Sequence, residues 1–74
     1  MGNLPVLKPK VVIHLLKAIG FVEVRQRGSH KQFRDDRGRC TTVPFHPGRE
    51  ISPILLRQIA KDIGMSPEDL VSHR

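Results

Sequence analysis

Apolar residues recur at helical spacing in two parts of the chain, one near each end. Between Pro9 and Gly20 they are spaced three and four apart, at Val11, Val12, Leu15, Leu16 and Ile19. This spacing places them on one face of an α-helix. Proline suits the first turn of a helix and glycine the position after its end, so Pro9 and Gly20 mark the two ends. The opposite face is polar and is expected to face water: Lys10, His14 and Lys17.

A second helix is predicted between Ser52 and Gly64. Ser52 is a suitable N-cap, and Pro53 follows at the first helical position. Leu55, Ile59 and Ile63 are expected along one face of this helix, with Leu56 and Ile54 at the flanks of that face. Ser66 then caps a last short helical turn that docks on the core. Residues 1–7 lack periodicity and are interpreted as a short leader.

Between the two helices the pattern changes to the alternation of β-strands. In residues 21–26, Val22 and Val24 are predicted to lie on the buried face of a half-buried strand. In a second strand Phe33 is expected to point inward, which puts His30 on the solvent-facing side. Gly28 and the residues from 35 to 38 are typical of turns. A short third strand is predicted over residues 39–43.

The predicted order is helix, three strands, helix and a final helical turn, in one domain over residues 1–74. Two helices on one face of a three-stranded antiparallel sheet form an α+β two-layer sandwich, α-β-β-β-α. This is also the element order of double-stranded-RNA-binding domains, so we expect a dsRBD-like fold.

The charge of the chain favours a polyanionic partner. The chain has 13 lysines and arginines against 7 aspartates and glutamates, a net charge of +6. Such an excess is typical of nucleic-acid-binding proteins. The single Cys40 and the lack of an export signal or of a long apolar run favour a cytoplasmic protein without a membrane segment. No metal-ligand spacing is present, and no cofactor is expected.

The chemistry of the chain is concentrated in residues 25–34. Candidate RNA-binding residues there are Arg25, Arg27, Gly28, Ser29, Lys31, Gln32 and Arg34, and His30 lies among them. RNA cleavage by transesterification needs a base for the 2′-hydroxyl, an acid for the leaving 5′-oxygen and cations for the phosphate. His30 with these cations could supply part of that set. From spacing alone, His30 could equally contact phosphate without doing chemistry.

His46 is a possible auxiliary residue. It follows the third strand, and a meander brings the end of that strand near the start of the second, where His30 lies. Two histidines could form an acid–base pair, although a loop histidine bonded to neighbouring backbone is the alternative. Ser29 is not expected to be a nucleophile, because adjacent residues of a strand point to opposite faces. With Gly28 it is expected to offer hydrogen-bond donors to a phosphate.

Several of these segments together resemble the HicA (YcfA-like) toxins. The resemblance is carried by Gly20-Phe21, the run from Arg25 to His30, Phe33-Arg34, and Thr42-Val43-Pro44 with His46. The helix that ends at Gly64 and the segment from Met65 to Leu70 are similar to the C-terminal half of that family. The resemblance extends from Pro9 to Val71.

The resemblance implies an mRNA interferase, the toxin of a type II toxin–antitoxin system, in which His30 is the catalytic residue and no metal is needed. The implied partners are mRNA and a HicB-type antitoxin that covers the active face. No apolar stripe is left over for a dimer, so the free protein is expected to be a monomer. The alternative is a non-catalytic RNA- or DNA-binding module that uses the same basic face of the sheet.

Overall fold

Three antiparallel strands form one sheet, and the helices pack on a single face of it. The computed structural model of the chain describes residues 4–46 and 48–73. The elements are α1 (Pro9–Ala18), β1 (Val22–Arg27), β2 (His30–Arg34), β3 (Cys40–Pro44), α2 (Pro53–Asp62) and α3 (Pro67–Ser72). The strand order is β1-β2-β3, so β1 and β3 are the edges. The predicted α+β fold with its α-β-β-β-α order is confirmed.

The core lies between the sheet and the helices. Phe33 of β2 and Val43 of β3 are fully buried and belong to the same apolar cluster as the inward residues of all three helices. Those helical residues are Val12, Leu15, Leu16, Leu56, Ile59, Ala60 and Leu70. We call the sheet face that carries Phe33 the inner face and the opposite one the outer face. The predicted inward direction of Phe33 is therefore confirmed.

Helices α1 and α2 end with the same backbone arrangement. Gly20 and Gly64 have positive φ angles of 98° and 75°, a conformation that L-residues with a side chain adopt rarely. In each case the next residue turns back onto the helix: the N–H of Phe21 donates to Leu16 at 2.9 Å, and that of Met65 donates to Ala60 at 3.0 Å. The predicted glycine caps are confirmed.

Of the two apolar residues predicted for the flanks of the apolar face of α2, one lies in solvent and the other in the core. Ile54 is 78% exposed, whereas Leu56 is fully buried and Leu55 is only partly buried. Residues two positions apart in a helix point to nearly opposite sides, so Ile54 and Leu56 cannot share one buried face. The buried side of α2 is instead formed by Leu56, Ile59 and Ala60, and Ile63 continues it.

The segment that precedes α1 is packed against the domain from Leu4 onward. Leu7 is only 5% exposed and forms an antiparallel bridge with Ile51, in which Ile51 N–H donates to Leu7 at 2.6 Å. Leu4 packs against the core cluster. The leader predicted for residues 1–7 differs from this arrangement, because Leu7 belongs to the core. Residues 1–3 of that leader lie outside the described residues.

Strand β1 is exposed along its whole length, contrary to the half-buried strand that we predicted. Val22 and Val24 are 59% and 55% exposed. The pattern of Val22 and Val24 predicted the wrong face for two reasons: β1 is an edge strand beyond the cover of the helices, and it contains a bulge between Glu23 and Arg25. Directly paired residues share a face. Glu23 pairs with Phe33 and so lies on the inner face, while Arg25 pairs with Gln32 on the outer face.

Asp35 organises the turn between β2 and β3 and connects it to α2. Its carboxylate accepts hydrogen bonds from the N–H groups of Arg37 and Arg39, at 3.1 and 2.8 Å, and from Arg39 Nε at 2.7 Å. The Arg39 guanidinium also donates to the carbonyl of Ile63, at 2.7 Å. Burial acts to raise the pKa of Asp35, but these hydrogen bonds and the charge of Arg39 outweigh it and lower the pKa.

We expect Asp35→Asn to lower the stability of the protein at neutral pH, because the Arg39 guanidinium loses a charged acceptor. A lowered pKa in the folded state means that Asp35 stabilises the fold above its ordinary value of 3.8. The advantage of the wild type in urea midpoint should therefore be full at pH 6–7 and shrink as the pH falls below about 4.

The control is Asp36→Asn, which removes the same charge from the exposed neighbouring position. Equal midpoints for Asp35→Asn and Asp36→Asn at pH 7 would contradict the role assigned to Asp35.

Candidate functional site

The outer face of the sheet carries three cross-strand rows of side chains. The strand register places Arg27, His30 and Pro44 in the first row, at the end of the sheet where β2 begins. The second row holds Arg25, Gln32 and Thr42, and the third holds Val22, Arg34 and Cys40. The first and third rows are four residues apart along β2, a distance of about 13 Å. His30 therefore lies at one end of a basic surface and not in its middle.

A tight turn connects β1 to β2 directly beside the first row. Arg27 pairs with His30, so Gly28 and Ser29 form a two-residue hairpin loop. Gly28 has a φ of 58°, and Ser29 has a negative one, the combination expected for a type II′ turn. A Cβ at Gly28 would meet no atom within 4 Å, so its backbone is open to approach. Local turn chemistry thus sets the position of His30.

His46 lies beside His30, as the meander predicted. Their ring centroids are 6.4 Å apart, and the rings are nearly perpendicular at 84°. Both side chains are exposed. The turn that follows β3 is attached to the β1–β2 turn, because Phe45 N–H donates to the carbonyl of Ser29 at 2.5 Å. The two histidines are therefore brought together by backbone contacts between the two turns.

Ser29 contacts His46 with its side chain. Ser29 Oγ and His46 Nε2 are hydrogen bonded at 3.1 Å. Sequence reasoning treated the Ser29 hydroxyl as a donor to phosphate and missed this contact. The two residues are seventeen positions apart, and no local pattern in the chain indicates that they meet. This bond engages one ring nitrogen of His46, and the other ring nitrogen makes no hydrogen bond to the described residues.

The candidate cations divide between the two faces. Arg25, Arg27 and Arg34 are exposed on the outer face, and no acidic side chain of the described residues lies within ion-pair distance of them. Lys31 is on the inner face, where its ammonium lies 3.2 Å from Glu23 and 3.3 Å from Gln26. It also lies over the ring of Phe45, 5.1 Å from the centroid. The structure thus brings the three arginines and His30 together and keeps Lys31 apart from them.

Two further properties of the described residues bear on function. Over residues 4–46 and 48–73, no three His, Cys, Asp or Glu side chains are grouped so that they could hold a metal ion. Among the same residues, no helix has both the length and the apolar character needed to span a membrane.

Comparison with known proteins supports the resemblance noted in the sequence. Residues 9–65 match the model of a family described as the HicA toxin of bacterial toxin–antitoxin systems. The match starts at Pro9, as expected, and ends at Met65, short of Val71. No curated protein matches the chain. The matched residues include β1, β2 and β3, His30 and His46, and they make up well over half of the sequence. The chain therefore belongs to the HicA toxin family.

Proposed function

We propose that this protein is an endoribonuclease toxin that cleaves mRNA with His30 and thereby inhibits translation. The observation that carries the proposal is the pair of exposed histidines, 6.4 Å apart between ring centroids, at the end of a basic sheet face. Membership of a family of RNase-type toxins gives the proposal its substrate class. The arginines on the outer face supply the charge that an RNA backbone requires.

The proposed reaction is an internal transesterification of the RNA. The 2′-oxygen attacks the adjacent phosphorus and forms a 2′,3′-cyclic phosphate, while the bond from phosphorus to the 5′-oxygen breaks. One histidine accepts the proton of the 2′-hydroxyl, and the other donates a proton to the departing 5′-oxygen. His30 is one of the two groups, and His46 is the nearest candidate for the second. No metal ion takes part in this scheme, since the two imidazoles exchange all the protons.

The residues around the histidines have supporting roles in the proposal. Arg27 is in the same cross-strand row as His30, so its guanidinium can neutralise the charge that builds up on the phosphate. Arg25, Gln32 and Arg34 extend the surface along the outer face and bind the adjoining strand of RNA. Gly28 allows the backbone of the turn to approach a phosphate closely. Lys31 keeps a different role, since it pairs with Glu23 on the inner face.

A toxin of a toxin–antitoxin system requires a partner that neutralises it, and we propose that the partner covers the outer face. A HicB-type antitoxin with acidic or polar side chains against Arg25, Arg27 and Arg34 would exclude RNA by occupying the same charges. The alternative function is a non-catalytic RNA- or DNA-binding module. It is favoured by the open basic surface itself, which would bind phosphates without either histidine.

We expect His30→Ala to reduce the rate of RNA cleavage by about 10²–10⁴-fold, the usual contribution of one acid–base group. The measurement is the rate of cleavage of a labelled RNA by purified protein in EDTA, with toxicity on expression as a second readout. His14→Ala is the matched control, because His14 is exposed on α1 and belongs to no part of the site.

Equal cleavage by the His30→Ala and His14→Ala proteins would eliminate His30 as the catalytic residue. RNA binding with no cleavage by the wild type would favour the non-catalytic alternative. Cleavage that EDTA abolishes would contradict the metal-free scheme.

We expect Ser29→Ala to slow cleavage by about twofold to tenfold, the worth of one hydrogen bond that orients His46. Nitrogen-15 spectra of the imidazoles should show a changed tautomer balance for His46 and an unchanged one for His14. Ser29→Thr, which keeps a hydroxyl, should restore both the rate and the spectrum.

The positioning role depends on His46, and this can be tested. In a His46→Ala background, Ser29→Ala should cost little further activity. A full additional loss in that background would show that Ser29 acts independently of His46.

A further inference from the structure

A groove of about 630 Å³ lies beside the histidine pair, and His46 is one of the residues that line it. One wall is formed by Lys8, Pro9 and Lys10, where α1 begins, and the other by Phe45 and the residues from Gly48 to Glu50. None of the sequence patterns indicated it, because its walls are about forty positions apart in the chain.

The bridge between Leu7 and Ile51 builds this groove. It holds the residue before Lys8 against the residue after Glu50, so the two walls must run side by side. The second wall is shaped by a turn in which the Arg49 N–H donates to the carbonyl of His46, at 3.1 Å. The packing that sets His46 in the site therefore also sets the position of Arg49.

The groove combines positive charge with an apolar surface. Lys8, Lys10 and Arg49 are exposed, and within the described residues no carboxylate lies within ion-pair distance of them. Glu50 is the single acidic side chain among the residues that line it. Pro9 is buried and Phe45 is half-buried, and they supply the apolar part. Three cations against one carboxylate favour an anion, and an aromatic ring favours a planar group.

We propose that this groove binds the nucleotide of the RNA strand that adjoins the phosphate to be cleaved. Its phosphate contacts Lys10 and Arg49, and its base lies against Phe45. His46 belongs to both the groove and the histidine pair, so a strand held between the histidines continues directly into the groove. The volume is within the range of sites that enclose small ligands. The inference rests on the proposed ribonuclease function and adds to it a second binding surface besides the sheet.

The test measures the binding of a fluorescein-labelled single-stranded RNA of eight nucleotides by anisotropy, at several salt concentrations. All proteins carry His30→Ala so that the RNA stays intact. The double variant Lys10→Gln, Arg49→Gln should bind more weakly. Its slope of log affinity against log salt should be shallower by about 0.7, the contribution of one neutralised phosphate on a single strand.

The control with the same net charge is Lys17→Gln, Lys61→Gln. Both lysines are exposed in the last turns of their helices and do not line the groove. This control should retain the slope of the protein that carries His30→Ala alone. If both double variants change the slope equally, the loss reflects total charge, and the proposed groove site is wrong.

A variant that is expected to strengthen RNA binding provides a second test of the groove. Glu50→Gln removes the repulsive charge from the groove and should tighten RNA binding by about twofold to fivefold, whereas Glu68→Gln on α3 should leave it unchanged. Equal affinities for these two variants would contradict the proposal.

The experiments distinguish a wrong proposal for the groove from a wrong proposal for the function. Cleavage by proteins with intact His30 tests the function, and the salt slopes test the groove. If the wild type cleaves RNA but the groove variants bind like their controls, the function stands and the groove site is overturned. Unchanged RNA binding together with weakened binding of the antitoxin would also overturn it and would assign the groove to an acidic protein partner.

Discussion

The burial of Phe33 sets the register of the sheet, and the candidate site depends on that register. Because successive side chains of a strand point to opposite faces, a slip of one residue would place Gln32 or Arg34 in the core and turn His30 away from the outer face. The cost of burying an unpaired arginine makes such a slip strongly unfavourable. The same register pairs His30 with Arg27 on one side and with Pro44 on the other. The burial of Phe33 thus places His30 between Arg27 of β1 and Pro44 at the end of β3.

The second histidine comes from a different kind of constraint. The chain leaves β3 at Pro44, and the hydrogen bond from Phe45 to Ser29 keeps the next residues against the β1–β2 turn. His46 then meets Ser29 and faces His30. Farther along, the bridge between Ile51 and Leu7 returns the chain to the start of α1. The candidate site and the groove are therefore formed where the β1–β2 turn and the segment after β3 meet the start of α1.

The helices, their glycine caps and the strand order could be predicted because each depends on residues close in the chain. Periodicity identified Leu15 and Leu16, and turn chemistry identified Gly28. The prediction was wrong where the burial of a residue depends on what covers the whole strand or helix. Val22 and Val24 have a typical strand pattern but lie on an edge strand that no helix covers, and a bulge shifts its phase. Ile54 is apolar but points away from the side on which Leu56 is buried.

In the candidate site, the directions of His30 and Arg34 followed from that of Phe33, and the catalytic role proposed for His30 came from the family resemblance. The hydrogen bond between Ser29 and His46 could not be predicted from the sequence, because it joins two loops that come together only in the folded chain. The pairing of Lys31 with Glu23 was missed for a related reason: the bulge at Val24 places Glu23 on the inner face. These contacts depend on long-range geometry, for which local patterns carry no signal.

The chemistry of the cut RNA ends tests the two-histidine mechanism most directly. A 5′-labelled and a 3′-labelled RNA, each incubated with the purified wild-type protein, can be analysed by mass spectrometry after brief digestion. Transfer to the 2′-oxygen predicts 2′,3′-cyclic phosphate on the upstream fragment and a free 5′-hydroxyl on the downstream one. An RNA with 2′-deoxy sugars throughout should remain intact. Fragments with a 5′-phosphate and a 3′-hydroxyl, or cleavage of the deoxy strand, would contradict the mechanism.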